Sequence, residues 1–274
     1  VTEDAPASPA HAYHQYLEPA IFQPLLEQVM ECAAPEPGDR VLDVACGTGV
    51  LARRASSLTG PSGRVTGVDL NPMMVEVARG IETHGGAPIE YLQGDACDLG
   101  FQDGSFDWAY CQQGLQFFPD RSSGVREMKR VLDVGGRVVI ACWKGLDHLP
   151  LFAALTDAEE VHLGALGVGV TRNDLEAPFS LAEATEIDRL LAEAGFEEME
   201  VVEREIQARF DDPDRFVGRM EFAYAAVVPQ FAEDPSAFAA YLAAVTEDTK
   251  DIIESYRTDD QLVFPMRTNI AVAS

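Results

Sequence analysis

Residues 41–52 read VLDVACGTGVLA. An apolar run, a glycine-rich turn and a second apolar run predict a buried parallel strand, a tight loop and a helix start. The strand is expected over Arg40–Ala45 and the helix through Leu58. Gly47-x-Gly49-x-x-Ala52 has the spacing of a nucleotide-binding loop in its Gly/Ala form. Glycine lets a ligand approach the backbone, and the first turn of the helix presents free N–H groups to it. Alone, that loop fits a dinucleotide enzyme. Asp43 argues otherwise: a carboxylate just ahead of the loop repels a diphosphate and attracts a cation such as an amino-acid ammonium. Its other reading is a loop aspartate that caps the next helix.

Outward from this unit the alternation continues. Gly60–Gly63 forms a turn, Arg64–Asp69 a second strand, and Asn71 an N-cap with Pro72 at the first helical position of a helix through Ile81. Strands are expected at Ile89–Gln93, Phe106–Cys111 and, after Gly135-Gly136, Arg137–Trp143, with a helix over Val125–Leu132. Strands alternating with helices predict an α/β fold with an open, doubly wound, mostly parallel sheet. Upstream, residues 1–11 are polar and expected to be mobile, and 16–34 show helical spacing interrupted by Pro19 and Pro24. Downstream, Leu181–Ala194 reads as an amphipathic helix capped by Ser180 and stopped by Gly195, and Glu198–Ile206 as a strand. Residues 211–258 read as a helical, acidic insertion, and Leu262–Val272 as a last strand whose Pro265 suits a sheet edge. The expected organisation is an N-terminal helical segment or lid (1–37), a core (38–210 and 259–274) and a helical cap (211–258).

Charge narrows the function. Twenty Lys and Arg face 46 Asp and Glu in 274 residues, a net charge of −26. Such a surface repels nucleic acid phosphates and anionic lipid. With lysine only at positions 129, 144 and 250, it suits solubility at high salt, or else an arginine-preferring codon usage. No stretch approaches the roughly 18 apolar residues of a membrane span, and VTEDAPASPA has no leader-like pattern, so a cytoplasmic location is expected. Five scattered cysteines and five scattered histidines form neither C-x-x-C nor H-x-x-x-H, so neither a disulfide framework nor a metal site is expected.

Other residues extend the site. Asp69, 22 residues after Gly47, stands where an acidic side chain accepts from ribose hydroxyls. In Gly94-Asp95-Ala96 the aspartate can accept from an exocyclic adenine amine and the alanine leaves room for the ring, although an ordinary turn reads the same way. Met74 can pack its thioether on a flat ring, or belong to the core.

VLDVACGTG, VTGVDLNPMMVEVAR, YLQGDACDLGFQDGSFDWAYC and REMKRVLDVGGRVVIACW together resemble the successive motifs of class I S-adenosylmethionine-dependent methyltransferases. Over residues 38–145 the ubiquinone/menaquinone C-methyltransferase-like branch is the nearest. The resemblance implies a Rossmann-like, seven-stranded sheet with its last strand antiparallel and the cofactor above the early strands. It implies that Asp43 and the backbone of Gly47, Thr48 and Gly49 hold the methionine moiety, with Ala45 also among the cofactor-binding residues. Asp69 would hold the ribose, Asp95 and Ala96 would flank the adenine, Leu70 and Met74 would also bind the cofactor, and Gln112 would face the methionine end. Two departures stand out: Ala45 where glycine is common, and Gln116-Phe117 where a histidine is common, which removes an obvious base.

The activity implied is in-line methyl transfer to a small, partly apolar acceptor with a C, O, N or S nucleophile. An NAD(P) oxidoreductase competes on fold, but no Tyr-x-x-x-Lys is present. A non-catalytic S-adenosylmethionine-binding subunit is the third reading. A base is needed only for an acceptor that must lose a proton. Tyr13, His14, His148 and Tyr224 are candidates, each more readily structural, so no catalytic residue is assigned. Phe216, Phe222, Tyr224, Phe231, Phe238 and Tyr241 either line an apolar pocket or fill the insertion's own core.

Overall fold

The computed structural model describes residues 6–222, 228, 231 and 234–274. Eight strands make one sheet: β1 (Arg40–Val44), β2 (Arg64–Asp69), β3 (Ile89–Gln93), β4 (Phe106–Gln112), β5 (Leu132–Trp143), β6 (Met199–Asp211), β7 (Arg257–Thr258) and β8 (Gln261–Ala273). The order is β3-β2-β1-β4-β5-β8-β6, with the two-residue β7 paired to the start of β8. β1 to β5 pair in parallel, and β8 runs antiparallel between β5 and β6. This is the expected doubly wound sheet with an antiparallel last strand.

Period-two alternation splits each central strand between two cores. Val41, Trp108, Tyr110 and Val139 face one, with helices α2 (Gln23–Cys32), α3 (Val50–Thr59) and α4 (Pro72–Gly80). Leu42, Ala109, Cys111 and Ile140 face the other, with α5 (Arg121–Val131) and α8 (Ala184–Glu193). Being apolar on both faces is what buries these short strands. All five cysteines are free thiols, and Cys46, Cys111 and Cys142 are buried.

Several boundaries differ from the sequence expectation. Ser8 caps α1 (Pro9–Ala12), which runs on as a π-wound stretch, Tyr13–Phe22, and then as α2. The wider winding accommodates Pro19 inside a continuous helical segment, so helix begins well before residue 16. α5 starts at Arg121 because the Asp120 side chain accepts from the Ser123 N–H at 2.9 Å. β5 begins at Leu132 and takes in Gly135-Gly136 across a register shift opposite Phe106 and Trp108. Ser180 does not cap α8; its hydroxyl donates to the Ala177 carbonyl and accepts from Arg121. β6 continues to Asp211, paired throughout with β8, so residue 211 belongs to the sheet.

Beyond it lie α6 (Pro150–Ala165), α7 (Arg172–Glu176), α9 (Phe216–Met220) and α10 (Pro235–Ser255); α10 packs on α6. The range 211–258 thus contains helices, the end of β6 and all of β7. β8 is interior, not an edge. Its pairing with β5 ends at Trp143–Thr268, so Pro265 lies on an overhang where its missing N–H costs no β5 bond. No helix among the described residues is long and apolar enough to cross a membrane.

Candidate active site

A cavity of about 480 Å³ opens at the C-terminal ends of β1, β2, β3 and β4. Ala45, Gly47, Asp69, Leu70, Met74, Asp95, Ala96 and Gln112 all line it. Tyr13, Asn71, Gln113 and Phe117, which sequence reasoning did not assign to it, line it too. Two of its residues are non-glycine positions in the left-handed region, Ala45 at φ 57° and Gln113 at φ 58°. Such backbone strain concentrates where a ligand site is built. At Ala45 it also explains why glycine is the easier residue.

Asp69 organises the floor. One carboxylate oxygen accepts from the Gly47 N–H at 2.8 Å and the other from the Asn71 N–H at 2.8 Å. Burial raises its pKa, and these two donors pull the other way. Lone pairs remain for further donors. The Asn71 side chain accepts from the Met73 N–H at 3.0 Å and so caps α4, placing Met74 against the cavity. Asp95 accepts from the Cys97 N–H at 2.8 Å. Gln112 donates through Nε2 to the Phe22 carbonyl at 3.4 Å, while its buried Oε1 has no donor.

Three predicted residues stand apart. Asp43 lies on the α3 face of β1, is 1% exposed, and accepts from the Ala52 N–H at 2.9 Å. Burial pushes its carboxyl up to about 8, so it is mostly neutral at pH 7. It caps α3, the second of the two readings its position in the sequence offers, and it does not line the cavity. Strand parity is the reason: Asp43 shares its face with Val41, under the first turn of α3. Thr48 is 1% exposed and donates to Glu18 at 2.6 Å. Gly49, at φ 84°, lies against the Tyr91 ring, where a Cβ would collide. Both shape the loop from behind.

A second cavity, about 400 Å³, lies between the π-wound segment and α6. Leu17, Ile21, Phe22, Trp143, Phe152, Leu155, Phe179 and Met266 make it apolar. Tyr13, Gln113 and Phe117 line both cavities and form the neck between them. A polar chain fixes that neck. Gln113 Oε1 accepts from the Trp143 N–H at 3.0 Å and from Gln116 Nε2 at 2.9 Å, and Gln113 Nε2 donates to Thr268 Oγ1 at 3.3 Å. With its amide thus oriented, buried Gln116 Oε1 has no donor, and Gln116 lines the second cavity.

Of the proton-handling candidates, Tyr13 reaches both cavities, but burial and the nearby Glu18, Asp69 and Asp43 hold its hydroxyl well above its usual pKa. His14 pairs with Glu18 at 3.0 Å and His148 with Asp147 at 3.3 Å, and neither lines a cavity. Tyr224 lies outside the described residues. Phe216, Phe231 and Tyr241 are buried among other rings, and neither they nor Phe222 and Phe238 line a cavity. Among the described residues no group of His, Cys, Asp or Glu is placed to hold a metal ion.

The cleft above the strand ends thus meets a second chamber at Tyr13, Gln113 and Phe117, with Asp69, Asp95 and Gln112 supplying polar groups on the first side. The profile of the ubiE/COQ5 methyltransferase family matches residues 21–154. The chain is 31% identical over 177 residues to the ubiquinone/menaquinone biosynthesis C-methyltransferase UbiE of Ectopseudomonas mendocina, covering 61% of this chain and 69% of that one. It is 39% identical over 113 residues to a demethylmenaquinone methyltransferase of Staphylococcus aureus, a match spanning 41% of this chain and 46% of that protein. The crystal structure of the YcgJ protein of Bacillus subtilis superposes with a TM-score of 0.53 at 18% identity, over 92% of this chain and 97% of that one. The chain belongs to the ubiE/COQ5 methyltransferase family and is an S-adenosylmethionine-dependent methyltransferase. The oxidoreductase and non-catalytic readings find no support among these relatives.

Proposed function

We propose that the first cavity holds S-adenosylmethionine and the second a small, ring-bearing acceptor of the quinone-precursor type. The observation carrying this reading is the apolar chamber that meets the first cavity at Tyr13, Gln113 and Phe117. The two relatives described above are named a ubiquinone/menaquinone biosynthesis C-methyltransferase and a demethylmenaquinone methyltransferase, which supports the same acceptor class.

The residues present fit the cofactor. Asp69, with lone pairs to spare, accepts from the ribose hydroxyls. Asp95 and Ala96 border the adenine, Leu70 and Met74 its faces. Ala45 and the Gly47 backbone border the methionine end, where the orphan Gln112 Oε1 accepts from the ammonium. Asp43, Thr48 and Gly49 support the loop without touching the ligand. When bound, S-adenosylmethionine supplies a methyl carbon on a positively charged sulfur, already a good leaving group.

The chain therefore contributes mainly placement. Tyr13, Leu17 and Phe22 bring the N-terminal helical segment over both cavities as a lid, and α6, with residues following β6, covers the chamber. Their apolar side chains exclude water from the path of the methyl group. Phe117, 56% exposed, stands at the mouth and leaves an exit for an apolar tail.

A methyl-label assay across hydroquinones, phenols, amines and thiols tests the acceptor class. Labelled hydroquinone is the expected product; turnover confined to amines or thiols would remove the quinone-type reading. Calorimetry with S-adenosylmethionine and with NADH tests the first cavity, and only the former is expected to bind.

A further inference from the structure

We infer that the buried amide oxygen of Gln116 selects acceptors that carry a hydroxyl, and that a hydrogen-bond relay through Gln113 and Thr268 fixes this preference. The inference rests on the reading of the second cavity as the acceptor chamber.

Among the described residues, Gln116 Oε1 is the one buried polar atom without a partner whose residue lines that cavity. Gln116 is 4% exposed and sits in a single 3₁₀ turn, Leu115–Phe117, just past β4. Its carbonyl is held in place, accepting from Arg121 Nη2 at 3.1 Å and from Ser180 Oγ at 3.4 Å.

The two ends of an amide have the same shape, so its neighbours decide which way it faces. The Trp143 N–H can only donate, and it reaches Gln113 at 3.0 Å, so Gln113 presents Oε1 there. Gln113 Nε2 is left for Thr268 Oγ1 at 3.3 Å, and the Thr268 hydroxyl gives its own proton to the Cys142 carbonyl at 2.9 Å. Gln116 meets the same Gln113 Oε1 at 2.9 Å and must turn Nε2 to it. Its Oε1 is then left to the cavity. The relay is anchored at both ends on the main chain of β5, and Gln113, Gln116 and Thr268 are all buried. Turning Gln116 over would set oxygen against oxygen in a medium that screens little.

An amide neither gives nor takes a proton at neutral pH, so this oxygen works by recognition. A ring hydroxyl in the chamber pairs it. An ether or carbonyl oxygen at the same point leaves it buried and unpaired, and a site built this way rejects the ligand that lacks the donor. Tyr13 and Thr156 also line the chamber, but a hydroxyl donates or accepts as its ligand requires and so adapts to either kind. Ile21, Phe152, Leu155 and Phe179 present apolar surface that takes both alike.

The test uses two ring compounds that differ in the donor alone, 1-naphthol and 1-methoxynaphthalene, titrated at neutral pH with S-adenosylhomocysteine filling the first cavity. Wild type should bind the naphthol at least about tenfold more tightly than the ether. Gln116→Met, close in length and without the amide, should bind the two within about twofold of each other, with its affinity for S-adenosylhomocysteine unchanged. Thr268→Val, which leaves Gln116 in place but frees the Gln113 amide to turn, should narrow the preference, and Thr268→Ser should keep it. In turnover with a hydroquinone, Gln116→Met should raise the acceptor KM about tenfold. Equal binding of the two compounds by wild type overturns the role of Gln116 and leaves the chamber intact. A preference that survives in Gln116→Met assigns the selection to another group and overturns it as well. Binding of neither compound to wild type overturns the chamber reading, and this inference with it.

Discussion

At the scale of single residues, two aspartates at the ends of neighbouring strands do opposite work. Asp69 looks into the cleft and keeps accepting capacity beyond its two backbone donors. Asp69→Ala should weaken S-adenosylmethionine binding by about 2–3 kcal/mol in a calorimetric titration; unchanged affinity would put the adenosine elsewhere. Asp43 looks into α3 and is held mostly neutral by burial. Because its folded-state pKa is raised to about 8, its contribution to stability is complete below about pH 4 and is lost as pH rises through 8. Asp43→Asn, which keeps an oxygen for the Ala52 N–H, should remove this alkaline loss, on the order of 1 kcal/mol per pH unit. Denaturant melts at about pH 6 and about pH 9 check it, since wild type and variant should differ more at the higher pH.

Between strand and helix, local sequence was a good guide where local chemistry decides. The strand–loop–helix at 41–52, the Asn71 cap and the alternation of the central strands stand where the residues put them. It was a poor guide where partners are distant. The π-wound segment is fastened by Glu18, which accepts from Thr48 and pairs with Arg53 some thirty residues on, and no spacing rule announces that. Nor does composition reveal that Pro265 lies past the end of a neighbouring strand, or which face of β1 receives Asp43. Glu18→Ala leaves the largely buried Arg53 without its partner and should cost about 3 kcal/mol. Hydrogen exchange should show the loss first in residues 13–22. Thr268→Val removes the hydroxyl that donates to the Cys142 carbonyl and accepts from Gln113. It should cost about 1–3 kcal/mol in a denaturant melt and lower turnover by freeing the neck.

For the molecule as a whole, a charge of −26 sets a repulsion that every local contact must overcome. Screening by salt relieves it, so the melting temperature should climb as potassium chloride is raised from low to molar concentration. A flat response would favour codon usage over habitat as the source of the acidity. The placement of β8 has a different consequence, one of timing. β6 has no sheet neighbour except β8, and β8 is made some fifty residues later. During translation β6 must wait with its backbone unsatisfied and its flank open to stray partners. The acidic side chains along it, Glu200, Glu203 and Glu205, then serve as a guard against premature association until the ribosome delivers the strand that closes the gap.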